Sequence, residues 1–171
     1  MFKFLYQFLG LHPLFDKEPN IKEKFHVDIA TGDPITPKEI NYKYKPILSD
    51  SYINLWAYNI ETVLAEKIET ILSRVELNGR MRDFYDVYLI YTKDWNKINI
   101  EHFNNAILNT FGKRDYYGNP FVTLDVLRDS NLLRTKWKSY QKKYEYAKDI
   151  DFDDILNCIE KMMEQRDPVV V

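Results

Sequence analysis

The chain has 171 residues, which is long enough for one domain with a substantial hydrophobic core. Apolar residues make up 45% of the chain and charged residues 29%, a balance that excludes an intrinsically disordered protein. The net charge of -2 excludes a generally basic nucleic-acid coat, so any contact with phosphate must be local.

Cysteine usage and hydropathy limit the compartment in which the protein acts. Cys158 is the only cysteine, which excludes an intrachain disulfide and a cysteine-based structural zinc site. The apolar opening "MFKFLYQFLGL" is short and lacks a small-residue cleavage pattern after it. No segment approaches the length of a membrane span. We therefore expect a cytoplasmic protein with no membrane partner.

The N-terminal third shows the alternation that is typical of strands. In "KFHVDIATGD", apolar residues alternate with polar ones around Asp28, which predicts a strand closed by a turn. The stretch "KEINYKYKPIL" at 38–48 alternates again and predicts a second strand. Residues 1–15 fit either a helix or a strand-like lead-in.

From Asn59 onward the apolar residues follow helical spacing. The order of elements predicts an α+β fold, with a small mixed or antiparallel sheet followed by a helical bundle. We place the sheet region at 1–50 and the helical region at 51–171. The predicted helices lie near 59–75, 80–92, 100–111, 121–129, 131–147 and 152–165.

The first predicted helix carries a lysine in an apolar position. Ile60, Leu64, Ile68 and Ile71 share one face, and Lys67 falls in the middle of that face. In one interpretation the lysine stem packs against the core while the ammonium reaches water. In the other, the ammonium points into a cleft and meets an anionic ligand.

The second predicted helix, "RMRDFYDVYLI", begins with an unusual density of charge. Asp83 and Asp86 are three residues apart, and Arg82 lies four residues before Asp86. An exposed pair of Arg82 with Asp86 would contribute only about 0.3–0.5 kcal/mol. Two neighbouring carboxylates can instead act as a base, as metal ligands or as orienters of a basic group.

Other acidic positions carry less information. Asp28 opposes the usual strand propensity, and a strand carboxylate is a rigid ligand for magnesium, but a solvated face would need no such explanation. In "KDIDFDDI", Asp151 or Asp153 is most simply the N-cap of the last helix. The glycines build neither a phosphate loop nor a dinucleotide fingerprint, and the histidines lack metal-ligand spacing.

Three stretches together resemble the AbiEii family of nucleotidyltransferases, the toxin halves of AbiE-type toxin–antitoxin and phage-abortive-infection systems. They are "HVDIATGDPITP" at 26–37, "YNIETVLAEKIETILSR" at 58–74 and "NGRMRDFYDVYLI" at 78–90. The later "YEYAKDIDFDDI" is similar to the C-terminal helical region of that family. The resemblance covers roughly residues 25–160.

This resemblance implies a fold like that of DNA polymerase β-type nucleotidyltransferases, with metal-binding carboxylates on a mixed sheet and helices that hold the nucleotide. Asp28 matches the strand carboxylate that completes the Mg²⁺ site. Lys67 matches the lysine of the A-E-K motif, which is expected to touch a nucleotide phosphate. Asp83 and Asp86 match the family's acidic element, with Asp83 the better candidate for a direct catalytic role.

The resemblance also implies the reaction and its participants. A nucleoside monophosphate would pass from an NTP to an acceptor hydroxyl, with release of pyrophosphate and two magnesium ions holding the reacting oxygens. Arg80 and Arg82 would bind phosphate or hold the aspartates. The implied partners are an NTP, with GTP as one candidate, an RNA acceptor such as tRNA, and a cognate antitoxin.

The family's first motif, a Gly-Ser turn followed by a D-x-D pair, is not matched in this chain, which has no Gly-Ser dipeptide. We therefore expect the C-terminal part of the family and poor transfer by this chain alone. Either an upstream part comes from another chain, or the protein is a catalytically inactive remnant that binds nucleotide, antitoxin or RNA. An uncovered sheet edge would also favour a homodimer.

Overall fold

The computed structural model describes residues 32–47 and 49–165. In this part of the chain, Glu39–Tyr58 belongs to one compact unit, and Asp33–Lys38 belongs with the chain from Asn59 onward to a second, helical unit. The strand predicted around Asp28 lies outside the described residues. The predicted α+β class, with a small sheet followed by helices, is confirmed.

The first unit contains a two-stranded antiparallel hairpin. Strands β1 (Ile40–Tyr44) and β2 (Ile53–Ala57) pair so that the first residue of β1 lies opposite the last residue of β2. Strand β1 falls within the predicted strand, whereas β2 was not predicted and lies beyond residue 50, where the sheet region was expected to end. Its pattern is short, and Trp56 stands at an exposed position where alternation calls for a polar residue.

The second unit contains all six predicted helices. Two of their N-caps agree with the sequence: the Asn59 side chain accepts from the Thr62 backbone N–H, and that of Asp151 from the Asp153 N–H, both at 2.8 Å. The helices are α1 (Ile60–Arg74), α2 (Met81–Asp94), α3 (Ile100–Lys113), α4 (Pro120–Asp129), α5 (Asn131–Lys143) and α6 (Phe152–Glu164).

Helix α5 was predicted to continue to residue 147, but it ends at Lys143, and a 3-10 turn follows. Side chains on α5 hold the chain as it folds back. The Gln141 side-chain amide donates to the backbone carbonyls of Ala147 and Ile150, and the Trp137 indole N–H donates to the Ile150 carbonyl at 2.9 Å. These bonds satisfy backbone carbonyls beyond the end of α5 that have no helical partner.

Helix α1 packs against α2, α3 and α4, and α6 packs against α2 and α4. The apolar face predicted for α1 is the buried one, since Leu64, Ile68 and Ile71 have no exposed surface. Phe84 of α2 meets Phe152 of α6 with ring centroids 5.4 Å apart. Burial of these large side chains in one core holds α1, α2 and α6 together.

A short segment, Asp33–Lys38, is fixed to α1 by polar contacts. The Thr36 backbone N–H donates to the Thr62 hydroxyl, which donates back to the Thr36 carbonyl, each at 2.9 Å. The Asn59 side-chain amide donates to the Lys38 carbonyl at 2.8 Å. These bonds satisfy backbone groups that have no strand partner.

Cys158 lies on the buried face of α6, and burial raises the pKa of its thiol to about 11. Because the thiolate is the reactive form, we expect the native protein to resist iodoacetamide at pH 8. The same protein in denaturant should be alkylated completely, as measured by intact mass. Rapid labelling of the native protein would show that α6 does not pack as described.

Candidate functional site

Lys67 and the two aspartates of α2 meet in one cluster. The Lys67 ammonium donates to Asp83 Oδ1 at 2.8 Å and to Asp86 Oδ2 at 2.7 Å. The lysine side chain is 21% exposed and the two carboxylates are 16% and 24% exposed, so all three are half-buried. The lysine in the apolar stripe of α1 therefore ends on two carboxylates instead of projecting alone into water. We call these three residues the lysine–aspartate cluster.

The spacing of the two aspartates produces this geometry. Residues three apart lie on the same side of a helix, so Asp83 and Asp86 both face α1. Phe84 and Val87 are fully buried on the neighbouring side of α2 and fix its rotation. Asp83 also lies in the first turn of α2, where the helix dipole favours a negative charge.

The electrostatics of the cluster keep Lys67 charged. Burial desolvates the ammonium and opposes its charge, but the hydrogen bonds and charges of Asp83 and Asp86 outweigh that effect and raise the pKa of Lys67. An ammonium has three donors, and two of them are used here. The third remains available for another acceptor.

The arginines of the motif occupy more exposed positions. Arg82 Nε lies 3.9 Å from Asp86 Oδ2, and the Arg82 side chain is 81% exposed, so this predicted pair is much weaker than the contact with Lys67. Arg80 is exposed immediately before the first residue of α2. Both arginines are free to turn towards a ligand at the N-terminal end of this helix.

Asp83 and both arginines line an open groove of about 790 Å³, whereas Lys67 and Asp86 do not line it. We call it the α2–α5 groove. One wall consists of residues 79–83, and the other is a face of α5 with the residue after it. This second wall comprises Thr135, Lys136, Ser139, Tyr140, Lys143 and Tyr144.

The α5 wall was missed in the sequence, although a signal for it exists. Lys136, Tyr140, Lys143 and Tyr144 follow the i, i+4, i+7, i+8 spacing that places side chains on one helical face. That face alternates cations with aromatic rings. Without a neighbouring motif in the sequence, it resembles an ordinary solvated surface.

Lys136 also fixes the start of α2. Its ammonium donates to the backbone carbonyls of Glu76 at 2.9 Å and Asn78 at 3.2 Å. The buried Asn78 side chain accepts from the Arg80 backbone N–H at 2.8 Å. These contacts hold the loop that leads into α2 and thereby position Arg80 at the mouth of the groove.

The expected magnesium site is not built by the described residues. In residues 32–47 and 49–165, no group of three or more histidine, cysteine, aspartate or glutamate side chains is placed to hold a metal ion. The carboxylates of Asp83 and Asp86 share one ammonium, which competes with a metal for the same oxygens. Asp28, the candidate metal ligand, lies outside the described residues.

None of the helices in the described part of the chain is long and apolar enough to cross a membrane.

Comparison with known proteins identifies the family. No curated protein and no solved structure matches the chain. A protein-family model described as "Nucleotidyl transferase AbiEii toxin, Type IV TA system" matches residues 2–158, a range that includes the lysine–aspartate cluster and both walls of the groove. The chain therefore belongs to the AbiEii family of nucleotidyltransferase toxins from toxin–antitoxin systems.

Proposed function

We propose that this protein is a cytoplasmic toxin that transfers a nucleoside monophosphate from an NTP to the hydroxyl of an acceptor such as RNA, and that a cognate antitoxin counteracts it. The observation that carries the proposal is the lysine–aspartate cluster, because it joins two family motifs and presents Asp83 to a basic groove. Family membership supplies the reaction type.

The proposed reaction is a substitution at the α-phosphorus. The acceptor oxygen forms a new bond to that phosphorus, the bond from phosphorus to the bridging oxygen of the β-phosphate breaks, and pyrophosphate leaves with that oxygen. The acceptor hydroxyl loses its proton in the same process. Asp83 is the candidate base, because it is the carboxylate of the cluster that lines the groove.

The charges of the side chains indicate which residues would bind the triphosphate. One ammonium and two carboxylates give the lysine–aspartate cluster a net charge of -1, so the cluster alone would repel a triphosphate. The exposed Arg80 and Arg82 reverse that sign, and guanidinium groups match phosphate oxygens with two parallel hydrogen bonds. We assign phosphate binding mainly to these arginines. Lys67 lies outside the groove lining, so its main role is to hold both carboxylates; a phosphate that reached the lysine–aspartate cluster would meet its third donor.

Position-specific labelling tests this proposal. The purified chain is incubated with RNA and an NTP labelled at either the α- or the γ-phosphate. Because the family's first motif is not matched in this chain, we expect slow incorporation of the α-label into the RNA, with the γ-label released in free pyrophosphate. Running each common NTP in parallel tests for a preference for GTP. Incorporation of the γ-label would indicate phosphoryl transfer instead, and absence of any α-label from the RNA would contradict transfer.

The second candidate function is a non-catalytic module that binds nucleotide, antitoxin or RNA. It is favoured by one observation: the described residues contain no acidic cluster that could hold a metal ion. Under this alternative, equilibrium dialysis should detect NTP binding in the same preparation that transfers no label. Transfer of the α-label would exclude it.

A further inference from the structure

The α2–α5 groove has a charge opposite to that of the chain as a whole. Its lining contains four cations, Arg80, Arg82, Lys136 and Lys143, against the single carboxylate of Asp83, whereas the whole chain has a net charge of -2. Lys136 donates to neutral carbonyls, so its charge is not cancelled by that contact. The groove lining therefore carries a net charge of +3, as expected for a surface that binds a polyanion.

The α5 wall of the groove adds aromatic surface to this charge. The rings of Tyr140 and Tyr144 lie 4.6 Å apart, and Tyr140 stacks on Trp137 at 5.4 Å with an interplanar angle of 19°. The Lys143 ammonium lies 5.2 Å from the centroid of the Tyr144 ring. Tyr146 stacks on the same ring at 5.3 Å with an interplanar angle of 27°, which holds Tyr144 at the groove with little freedom to lose. A base that stacks on Tyr144 therefore takes the place of the Lys143 ammonium.

The shape and chemistry of the groove select one kind of ligand. Small-molecule sites enclose most of their ligand, whereas this groove is widely open to solvent. An acidic peptide would use the cations but not a rigid tyrosine face. A single nucleic-acid strand uses both, because its phosphates follow the cations and its bases stack on aromatic rings.

We propose that the α2–α5 groove binds a single-stranded segment of nucleic acid, with the backbone passing Lys136 and Lys143 on the α5 wall and one base stacked on Tyr144. The groove would bring the strand past Asp83, where the strand could serve as the acceptor. The biological role of the groove therefore rests on the proposed transfer reaction. Strand binding requires no turnover, so strand binding and nucleotide transfer can be tested independently.

Fluorescence anisotropy of a labelled twelve-nucleotide RNA with the full chain tests the groove. Lys143→Gln should weaken binding and lower the slope of log affinity against log salt by about 0.7, the value for one phosphate contact on a single strand. The matched control is Lys138→Gln, which removes an exposed lysine of the same helix outside the groove. Equal effects of the two variants would overturn the proposal.

The stacking contact has its own pair of variants. Tyr144→Leu should weaken binding about 5-fold or more, because base stacking on an aromatic ring is lost. Tyr144→Trp should retain binding, and this rescue separates stacking from a simple folding defect. Tyr117→Leu, at an exposed tyrosine outside the groove, is the control. Unchanged affinity in Tyr144→Leu would contradict the assignment.

Two further measurements distinguish strand binding from recognition of charge alone and from the transfer reaction. An acidic peptide of the same charge that competes as well as the RNA would show that the groove recognises charge alone, and would overturn the nucleic-acid assignment. Asp83→Asn should still bind the strand, since it removes the one carboxylate from the groove lining. Strand binding by the wild-type chain without label transfer would support the groove while contradicting the proposed reaction.

Discussion

Lys67→Met is expected to lower the free energy of unfolding by about 1–3 kcal/mol, the usual cost of leaving buried hydrogen-bonding groups without a partner. The ammonium of Lys67 is bonded to both Asp83 and Asp86, so its removal leaves two half-buried carboxylates facing each other. Their mutual repulsion adds to the lost hydrogen bonds. Chemical denaturation monitored by circular dichroism measures the change.

Removal of the carboxylates in the same background provides the control. Asp83→Asn combined with Asp86→Asn should restore much of the stability of Lys67→Met, because no unpaired charge remains. Because the pKa of Lys67 is raised in the folded state, its contribution is fully present below the ordinary lysine pKa of 10.5 and is lost as the pH rises through the folded value. The loss in free energy of unfolding caused by Lys67→Met should therefore stay constant between pH 7 and pH 9. An additive triple variant would show that the three residues do not act together.

Arg114→Met should have a still larger effect on stability, about 3 kcal/mol or more, because it breaks a buried ion pair. The Arg114 guanidinium donates to the buried carboxylate of Glu69 at 2.8 Å, and Glu69 is 4% exposed. The same guanidinium lies 3.6 Å from Asp33 and 3.8 Å from Glu66. Without it, three carboxylates share a partly buried space. Thermal and urea unfolding measure the loss.

The stability lost in Arg114→Met should also depend on pH. Burial raises the pKa of Glu66, while the charge of Arg114 opposes that rise. A raised carboxyl pKa stabilises the fold below the ordinary value of about 4.5, and this contribution is lost as the pH rises through the folded value. The deficit of Arg114→Met should thus be smaller at pH 4 than at pH 7. Arg114→Met with Glu69→Gln should recover stability; no recovery would contradict the pairing.

Local sequence patterns were sufficient for the helical unit. The helical spacing of apolar residues placed all six helices, and the polar residues Asn59 and Asp151 marked two of the starts. Lys67 stood out because a charged residue interrupted an apolar stripe. What the pattern left open was the partner of that charge, since Asp83 and Asp86 lie on another helix and only the packing of α1 against α2 brings them within reach.

Features that depend on tertiary contacts were missed. The early end of α5 follows from hydrogen bonds that Trp137 and Gln141 make to a turn further along the chain, and helix propensity contains no information about them. The groove depends on the approach of the α5 wall to the start of α2. Lys136 shows this most clearly, because its role in holding the loop at Glu76 and Asn78 joins positions far apart in sequence.

We propose that nucleotide chemistry takes place at Asp83, which Lys67 holds at the edge of the α2–α5 groove. The most direct measurement is the initial rate of α-label transfer to RNA by the wild type and by Asp83→Asn, with Asp154→Asn as the control. Asp154 is an exposed aspartate in the first turn of another helix. We predict that Asp83→Asn loses about 100-fold or more in rate while Asp154→Asn keeps the wild-type rate. Transfer by Asp83→Asn at the wild-type rate would contradict the claim.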